Sequence, residues 1–467
     1  MHLHRVELSR LIASVWRSLN LRGDPATEAG RARERKRRVL LSALAAGGAK
    51  AVSLLSLLIT VPLTLGYLGP ERYGLWMAIA SLLGVLSFAD LGLGFGLVNV
   101  LSSAEGLGDV TTSRRAVSNA FFMLVAVSVV LAVALIVSWQ HLHWGVLLNA
   151  RSEATRAEVG TAMAVFLACF LAGLPLSVVN HGFAALQQGF RSSLYQGLGS
   201  LLGLAAILAV VKARGGLDWL VLGASGAPLV AGLLGAWDLY VRRRPDLRPR
   251  LEHASRQGAL EVARLGGLFF VIQVAITVAF QADGLVLARI LGPESVATYA
   301  VTQKLFLQVP FVLGYFLTPL WPAYAEALTR GDRAWVRRTL RKSLLLGFAV
   351  NVPAAAAIFF AAPFMLAAWV GGAVQPPVLL LLSLAAWAAL NSINGPVGMF
   401  LNGVGALRYQ AIACSLMAVA NLALSIFFTR RLGIAGVVLG SIVAQALFSY
   451  LPALVYVPRL FKRMERA

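Results

Sequence analysis

The chain has 467 residues, 58% of them hydrophobic and 13% charged, with 41 Lys and Arg against 20 Asp and Glu, a formal net charge of +21 and a mean hydropathy of +0.76. So much apolar side chain exceeds what a soluble core of this length can hide, so the composition excludes an ordinary soluble protein and calls for many membrane spans of about 20 residues each. The charge does not mark a nucleic-acid-binding protein, because basic-rich and basic-poor connections alternate, as in the positive-inside pattern of membrane proteins.

Residues 1–38 form a basic tail ending in Arg31-Ala32-Arg33-Glu34-Arg35-Lys36-Arg37-Arg38. Within it Val6, Leu8, Leu11, Ile12, Val15, Trp16 and Leu19 recur at helical spacing, which fits either a short amphipathic helix on the membrane surface or a plain cytoplasmic tail. This polar, Arg-rich start does not read as a signal peptide. Beyond it, hydropathy predicts twelve spans, at about 40–66, 73–101, 116–138, 161–183, 192–212, 219–241, 263–289, 296–323, 343–362, 377–401, 409–428 and 434–457. The first two make a hairpin folded at Leu68-Gly69-Pro70-Glu71.

The tail, the loop 242–264 (Arg242, Arg243, Arg244, Arg248, Arg250, Arg256, Arg264) and the loop 326–342 (Arg330, Arg333, Arg337, Arg338, Arg341, Lys342) fall on one side. Arg114, Arg115, Arg191, Arg408 and the C-terminal Arg459, Lys462, Arg463 and Arg466 join them. The other side carries little beyond Arg72, Arg151, Arg156, Lys212, Arg214, Arg430 and Arg431. Both termini and the central basic loop are therefore expected in the cytoplasm.

The hairpin recurs. Leu291-Gly292-Pro293-Glu294 repeats the first turn at a spacing of 223, and the same offset carries Gly108-Asp109 onto Gly331-Asp332 and Arg114-Arg115 onto Arg337-Arg338. Asn180 and Tyr195-Gln196 find echoes in Asn394 and Tyr409-Gln410 at 214, and Val221-Leu222-Gly223 in Val438-Leu439-Gly440 at 217. Two copies of one half are implied. Six spans per copy is an even number, so both copies enter the membrane in the same direction. The expected fold is an all-α integral membrane protein of about twelve transmembrane helices in two six-helix lobes, related by a pseudo-two-fold axis along the membrane normal. Its parts would be a basic tail 1–38, a lobe 39–241, a basic linker 242–262, a lobe 263–457 and a tail 458–467.

Ionisable groups inside spans are costly unless paired or hydrated, which makes each a functional candidate. Lys50 and Asp90 lie twenty positions either side of Pro70; Asp283 and Lys304 lie ten and eleven from Pro293, so each pair is expected at a common depth. The pairs read either as salt bridges within the hairpins or as the lining of a water-filled cavity where the cations meet an anionic substrate. Among many Asn and Gln in the spans, Asn180, Asn394, Gln281 and Gln303 are candidates to line that cavity, since side-chain amides suit sugar hydroxyls. Gly92, Gly94 and Gly96 have no strand before them, so they indicate close helix packing or a local break, not a nucleotide loop. The chain lacks a Gly-x-x-x-x-Gly-Lys-Ser/Thr sequence and is not expected to power transport with ATP itself. His141 and His143 have no Cys or carboxylate at ligand spacing, and Cys169 and Cys414 fall in apolar blocks, so no metal and no disulfide are expected. No catalytic residue or cofactor is expected either.

Tyr67-Leu68-Gly69-Pro70-Glu71-Arg72-Tyr73-Gly74-Leu75-Trp76 and Ala89-Asp90-Leu91-Gly92-Leu93-Gly94 resemble the polysaccharide flippase family, of the O-antigen and lipopolysaccharide type, within the multidrug/oligosaccharidyl-lipid/polysaccharide exporter superfamily. Asp283 to Leu287, Leu291-Gly292-Pro293-Glu294 and Tyr299 resemble the second-half counterpart, and the resemblance extends over all twelve spans. It implies a two-lobed bundle in the bacterial inner membrane that alternates its access. Such a protein moves an undecaprenyl-diphosphate-linked oligosaccharide from the cytoplasmic to the periplasmic leaflet for cell-surface polysaccharide biosynthesis. On this reading Lys50 and Lys304 are candidates, by charge and depth, to meet the diphosphate. Anionic membrane lipids and a polysaccharide polymerase complex are candidate partners, and nucleic acid is not. The alternative is a proton- or Na⁺-coupled multidrug antiporter of the same superfamily. Those antiporters resemble chains with an acidic group in an early span, where this chain has Lys50.

Overall fold

The computed structural model describes residues 27–86, 88–147, 153–370 and 375–466; the amphipathic pattern of 6–19 lies outside the described residues. Among the described residues the secondary structure is helical, with short 3₁₀ and π turns and no strand. In a bilayer this is expected, since an α-helix satisfies all of its interior backbone groups within one segment. The chain divides into two compact units, one ending at Gly267 and one beginning at Leu268.

In unit 1, α1 (Glu28–Leu86) runs from the described end of the basic tail through the first span and kinks at Gly69, where φ is 72° and ψ 170°. Only glycine adopts that conformation without strain. The second span, expected to be continuous over 73–101, is broken. The chain turns at 88–92, with Leu91 at φ 51° and Gly92 at φ 71°, and resumes as α2 (Leu93–Leu107). Then follow α3 (Val110–Ser138), α4 (Glu153–Ala185), α5 (Gly189–Lys212) and α6 (Leu217–Trp237), with a π turn over Asp238–Arg243. Among the described residues eleven helices are long and apolar enough to cross a membrane, and the broken second span completes six per unit.

Helix α7 (Arg256–Leu291) starts in unit 1 and ends in unit 2. Unit 2 continues with α8 (Pro293–Leu317), α9 (Leu320–Thr329), α10 (Arg333–Val370), α11 (Val378–Gly403), α12 (Leu407–Leu432), α13 (Ala435–Gln445) and α14 (Leu451–Arg466). Its second span is interrupted too, at Thr318-Pro319 between α8 and α9.

The internal repeat holds at the level of single hydrogen bonds. Gly292 (φ 89°, ψ 168°) copies the backbone of Gly69. After α2, Gly108 (φ 72°) is followed by the bonds Asp109 N–H to Ala104 O (2.9 Å) and Ser113 N–H to Asp109 O (3.1 Å). After α9, Gly331 (φ 78°) is followed by Asp332 N–H to Ala327 O (2.8 Å) and Val336 N–H to Asp332 O (3.2 Å), each at the offset of 223. The turn before the fifth span corrects the later register. Gln187 (φ 55°) and Gln188 N–H to Phe183 O (2.7 Å) match Gly405 (φ 70°) and Ala406 N–H to Leu401 O (3.0 Å), an offset of 218. The counterparts of Asn180 and Tyr195 are therefore Gly398 and Ala413, not Asn394 and Tyr409. The echo at 214 lies about one helical turn away from the true register, which is why it looked regular.

Connections gather at two ends of unit 1. At one end the Tyr67 hydroxyl donates to Gly215 O (2.9 Å) and Arg72 pairs with Glu158 (2.6 Å). At the other stand Glu105, Arg191, Asp238, Arg243 and Arg244. Leu75, Ile79, Met163, Phe166, Leu217 and Leu220 pack the core of this unit, and Leu287, Phe306, Leu380, Leu384 and Val437 that of unit 2. Leu54, Leu55, Leu57, Leu58 and Ile59 on α1 instead stay exposed, as a surface meeting lipid can.

Candidate functional site

Ser53, Ser56 and Thr60 share one face of α1 because their spacings of three and four residues equal about one turn. Opposite them α5 presents Gln196 and Ser200, also one turn apart, and α4 presents Asn180. These residues line a cavity of about 480 Å³ inside unit 1, with Tyr73, Trp76 and Tyr195 as its aromatic wall. No charged side chain is among its described lining residues. The Ser53 and Ser200 hydroxyls lie 2.8 Å apart, Ser192 Oγ donates to Asn180 Oδ1 (2.8 Å), and Gln196 Nε2 donates to Ser192 Oγ (3.1 Å). Gly199 leaves room for Pro228 of α6, whose Cα would stand 3.3 Å from an added Cβ.

Trp76 and Met77 also border a second cavity of about 500 Å³, mostly apolar, that holds Asp90, Cys169, Ser177 and Ser225. Asp90 stands in the break of the second span, where its Oδ1 accepts the Gly92 N–H (3.0 Å). Beside it is His181, the one histidine inside an apolar span, whose Nδ1–H donates to Ser177 O (2.9 Å) and whose ring packs edge-on to Phe95 at 5.4 Å. The imidazole occupies the space that a Cβ on Gly94 would take, and it interacts electrostatically with Asp90. Gly96 likewise admits the backbone of α7, with Val262 O 2.5 Å from an added Cβ. The glycine run thus serves both a local break and close packing.

Lys50 and Asp90 are not joined. Lys50 is exposed, one turn before Ser53 on α1, and no ion pair links it to Asp90 among the described residues. Asp283 and Lys304 are not joined either. Asp283 is 2% exposed; its Oδ2 accepts from the Tyr299 hydroxyl (2.9 Å), which in turn accepts from Gln303 Nε2 (2.7 Å). Its Oδ1 accepts from Ser425 Oγ at 3.4 Å, and Asn421 joins the network through Ser425 and through Ser441 (2.9 Å). Since Asp283 lies level with Tyr299, Lys304 is five residues, roughly 7.5 Å, further along α8, where it is exposed. Matching the pair by distance from Pro293 placed the turn two residues too late, since the midpoint of Asp283 and Tyr299 is residue 291. Asn394 is exposed on α11, and the side chain of Gln281 lies outside what is described. Of the candidates, Asn180 lines the uncharged cavity, Asp90 its apolar neighbour, and Asp283 and Gln303 share a buried network.

At the basic end of unit 1, Arg244 forms two hydrogen bonds with Glu105 (2.7 and 2.8 Å) and also bonds Asp246 (2.9 Å). The hydrogen bonds from Arg244 hold the Asp246 carboxyl below the usual carboxylate range, and those with Glu105 and Asp246 raise the guanidinium above its own. Arg250 N–H donates to Ser118 Oγ (3.2 Å) and Ser255 N–H to Asn119 Oδ1 (3.1 Å). The segment expected as a linker is thereby fastened to α3.

Residues 43–328 match the model of a family described as polysaccharide biosynthesis protein. A protein of Yersinia pseudotuberculosis named for O-antigen export is 22% identical over 409 residues, 86% of this chain and 92% of its own length. A Salmonella typhimurium protein named as an O-antigen transporter is 22% identical over 396 residues, 84% of this chain and 89% of its own. In fold, the chain is similar to an outward-facing multidrug resistance MATE family transporter of the MOP superfamily (TM-score 0.79, 15% identity, covering 93% of this chain and 97% of that one). It is also similar to a MOP superfamily transporter from Pyrococcus furiosus (TM-score 0.77, 16% identity, covering 93% and 97%). The family match covers more than half of the chain, which therefore belongs to the polysaccharide biosynthesis protein family.

Proposed function

We propose that this protein is a transporter, not an enzyme, that flips an undecaprenyl-diphosphate-linked oligosaccharide from the cytoplasmic to the periplasmic leaflet of the bacterial inner membrane. Both termini would lie in the cytoplasm, and access would alternate between the two faces. The observation that carries the reading is the cavity of about 480 Å³ in unit 1. Its hydroxyls and amides can exchange hydrogen bonds with sugar hydroxyls, its aromatic wall can stack on a sugar ring, and its uncharged lining suits a neutral glycan better than a cationic drug. The O-antigen names of the relatives support the same substrate class. Lys50, exposed one turn from the cavity's Ser53, is a candidate to accompany the diphosphate.

The test deletes the gene and asks whether lipid-linked oligosaccharide accumulates on the cytoplasmic side while surface polysaccharide disappears. Complementation by wild type, and failure of an Asn180→Ala/Gln196→Ala variant that reaches the membrane in normal amount, is the expected result. The antiporter reading draws on Asp90, a carboxylate in a mostly apolar cavity. A deletion that leaves surface polysaccharide intact and raises drug sensitivity would replace the flippase with the antiporter.

A further inference from the structure

Each unit carries the same cap after its second span, and the helices that follow these caps, α3 and α10, differ in what covers them. In unit 1, Ser118 and Asn119 of α3 are covered by the chain's own segment: Arg250 and Ser255 donate backbone N–H groups to them, and Gly258 packs on the Asn119 amide. At the offset of 223 these positions are Arg341 and Lys342. In unit 2 that face opens on a cavity of about 490 Å³ lined by Arg333, Arg337, Arg338 and Arg341 of α10 and by Phe461 and Met464 of α14. No carboxylate is among its described lining residues. Arg333, Arg338 and Arg341 bring three guanidinium groups to one space, where they repel one another unless an anion shares it, and the planar guanidinium matches phosphate oxygens better than any other cationic side chain.

The site also lies where a lipid headgroup would. One turn after Arg341, α10 begins to expose large apolar residues (Leu345, Leu346, Phe348). On α14 the exposed apolar stretch (Leu451, Leu454, Val455) gives way to exposed Arg459, Lys462 and Arg463. The arginines thus stand at the edge of the lipid-facing surface, with Phe461 and Met464 as an apolar wall. We infer that this cavity binds the anionic, phosphate-bearing headgroup of a membrane lipid. Phosphate contacts the arginines and the first carbons of the lipid contact Phe461 and Met464. The segment 250–258 closes the corresponding face in unit 1, so the site belongs to one half of the molecule.

Binding to purified full-length protein in detergent tests this without reference to the transported substrate. The probes are dioctanoyl phosphatidylglycerol, dioctanoyl phosphatidylcholine and inorganic pyrophosphate, read by native mass spectrometry and by competition. The expected result is saturable binding of about one phosphatidylglycerol per chain, displaced by pyrophosphate. Its affinity should fall at least roughly tenfold in Arg333→Gln/Arg338→Gln/Arg341→Gln, the size of one lost charge-assisted contact or more. Arg248→Gln/Arg250→Gln/Arg256→Gln, which removes the same charge elsewhere, should bind as wild type. Equal loss in both triple variants would overturn the site in favour of general surface charge. Equal binding of phosphatidylcholine, failure of pyrophosphate to compete, or binding of pyrophosphate by a protein that takes up neither lipid would each overturn the headgroup assignment. A triple variant whose melting temperature differs from wild type in lipid-free detergent is replaced by Arg341→Gln alone, which should still weaken binding.

Discussion

The ring of His181 fills the place where a side chain on Gly94 would begin, so Gly94→Ala is the sharpest test of how α4 meets the broken second span. The ring is held by its hydrogen bond to Ser177 O at 2.9 Å and by edge-on contact with Phe95. Forcing it aside costs about 1–3 kcal/mol of overpacking and about 1 kcal/mol for the hydrogen bond. Against this, alanine gains about 1 kcal/mol over glycine within a helix. The net expectation is a loss of about 1–3 kcal/mol. With His181→Ala already present the obstruction is gone, and Gly94→Ala should then be neutral or stabilising by up to about 1 kcal/mol. The chain's two cysteines provide the assay. Cys169 in unit 1 is buried, so in a Cys414→Ser background a thiol-reactive fluorophore reports the opening of that unit on heating. At roughly 2–4 °C per kcal/mol, Gly94→Ala should melt several degrees below its parent and the double variant should recover that difference against His181→Ala. Melting of Gly94→Ala within one degree of its parent, or an undiminished loss in the His181→Ala background, would refute the packing.

Asp283→Ala leaves the Tyr299 and Ser425 hydroxyls without their acceptor and should cost about 1–3 kcal/mol, whereas Asp283→Asn keeps an oxygen for Tyr299 and should lose less; the same dye assay with Cys169→Ser, reading Cys414, measures both. A double-mutant cycle on Arg244 and Glu105 should give a coupling of roughly 1 kcal/mol, because the contact is bidentate but about a quarter exposed. The Asp246 carboxyl titrates lower in the folded protein than its ordinary 3.8, so its pairing stabilises the fold above that value and the contribution is lost as pH falls through the folded pKa. Asp246→Asn should therefore flatten the acid side of a melting-temperature profile below about pH 4 and leave its pH 7–8 portion parallel to wild type.

Hydropathy made the spans legible, and the two glycine turns at Gly69 and Gly292 made the duplication legible, because both are carried by chemistry that the backbone itself requires. The break at 88–92 was readable only as one of two uses for Gly92, Gly94 and Gly96, since an apolar run stays apolar whether or not its helix is continuous. Pairings by depth failed for a different reason. Lys50 with Asp90 and Asp283 with Lys304 share a distance from a turn, but contact also depends on how each helix is rotated, and each residue of error in the matched position turns a side chain by about 100°. Asn180 is a candidate through its amide and lines the cavity, whereas the serines and threonine beside it are too common in spans to stand out. His181 was overlooked despite a clear signal, a lone imidazole in an otherwise apolar stretch.

The cap that ends the second span in each unit keeps its left-handed glycine and its hydrogen bonds at Asp109 and Asp332, although few of the side chains around them agree. What has been inherited twice is a backbone gesture, not a surface. Residues 104–113 and 327–336 should then be exchangeable cassettes: a chimera carrying either in both places would still turn correctly from span to span. Most of what makes the halves unequal, one sealed by residues 250–258 and the other lined by Arg337, Arg338 and Arg341, would be written outside those ten residues, where descent from a common half left evolution free to revise.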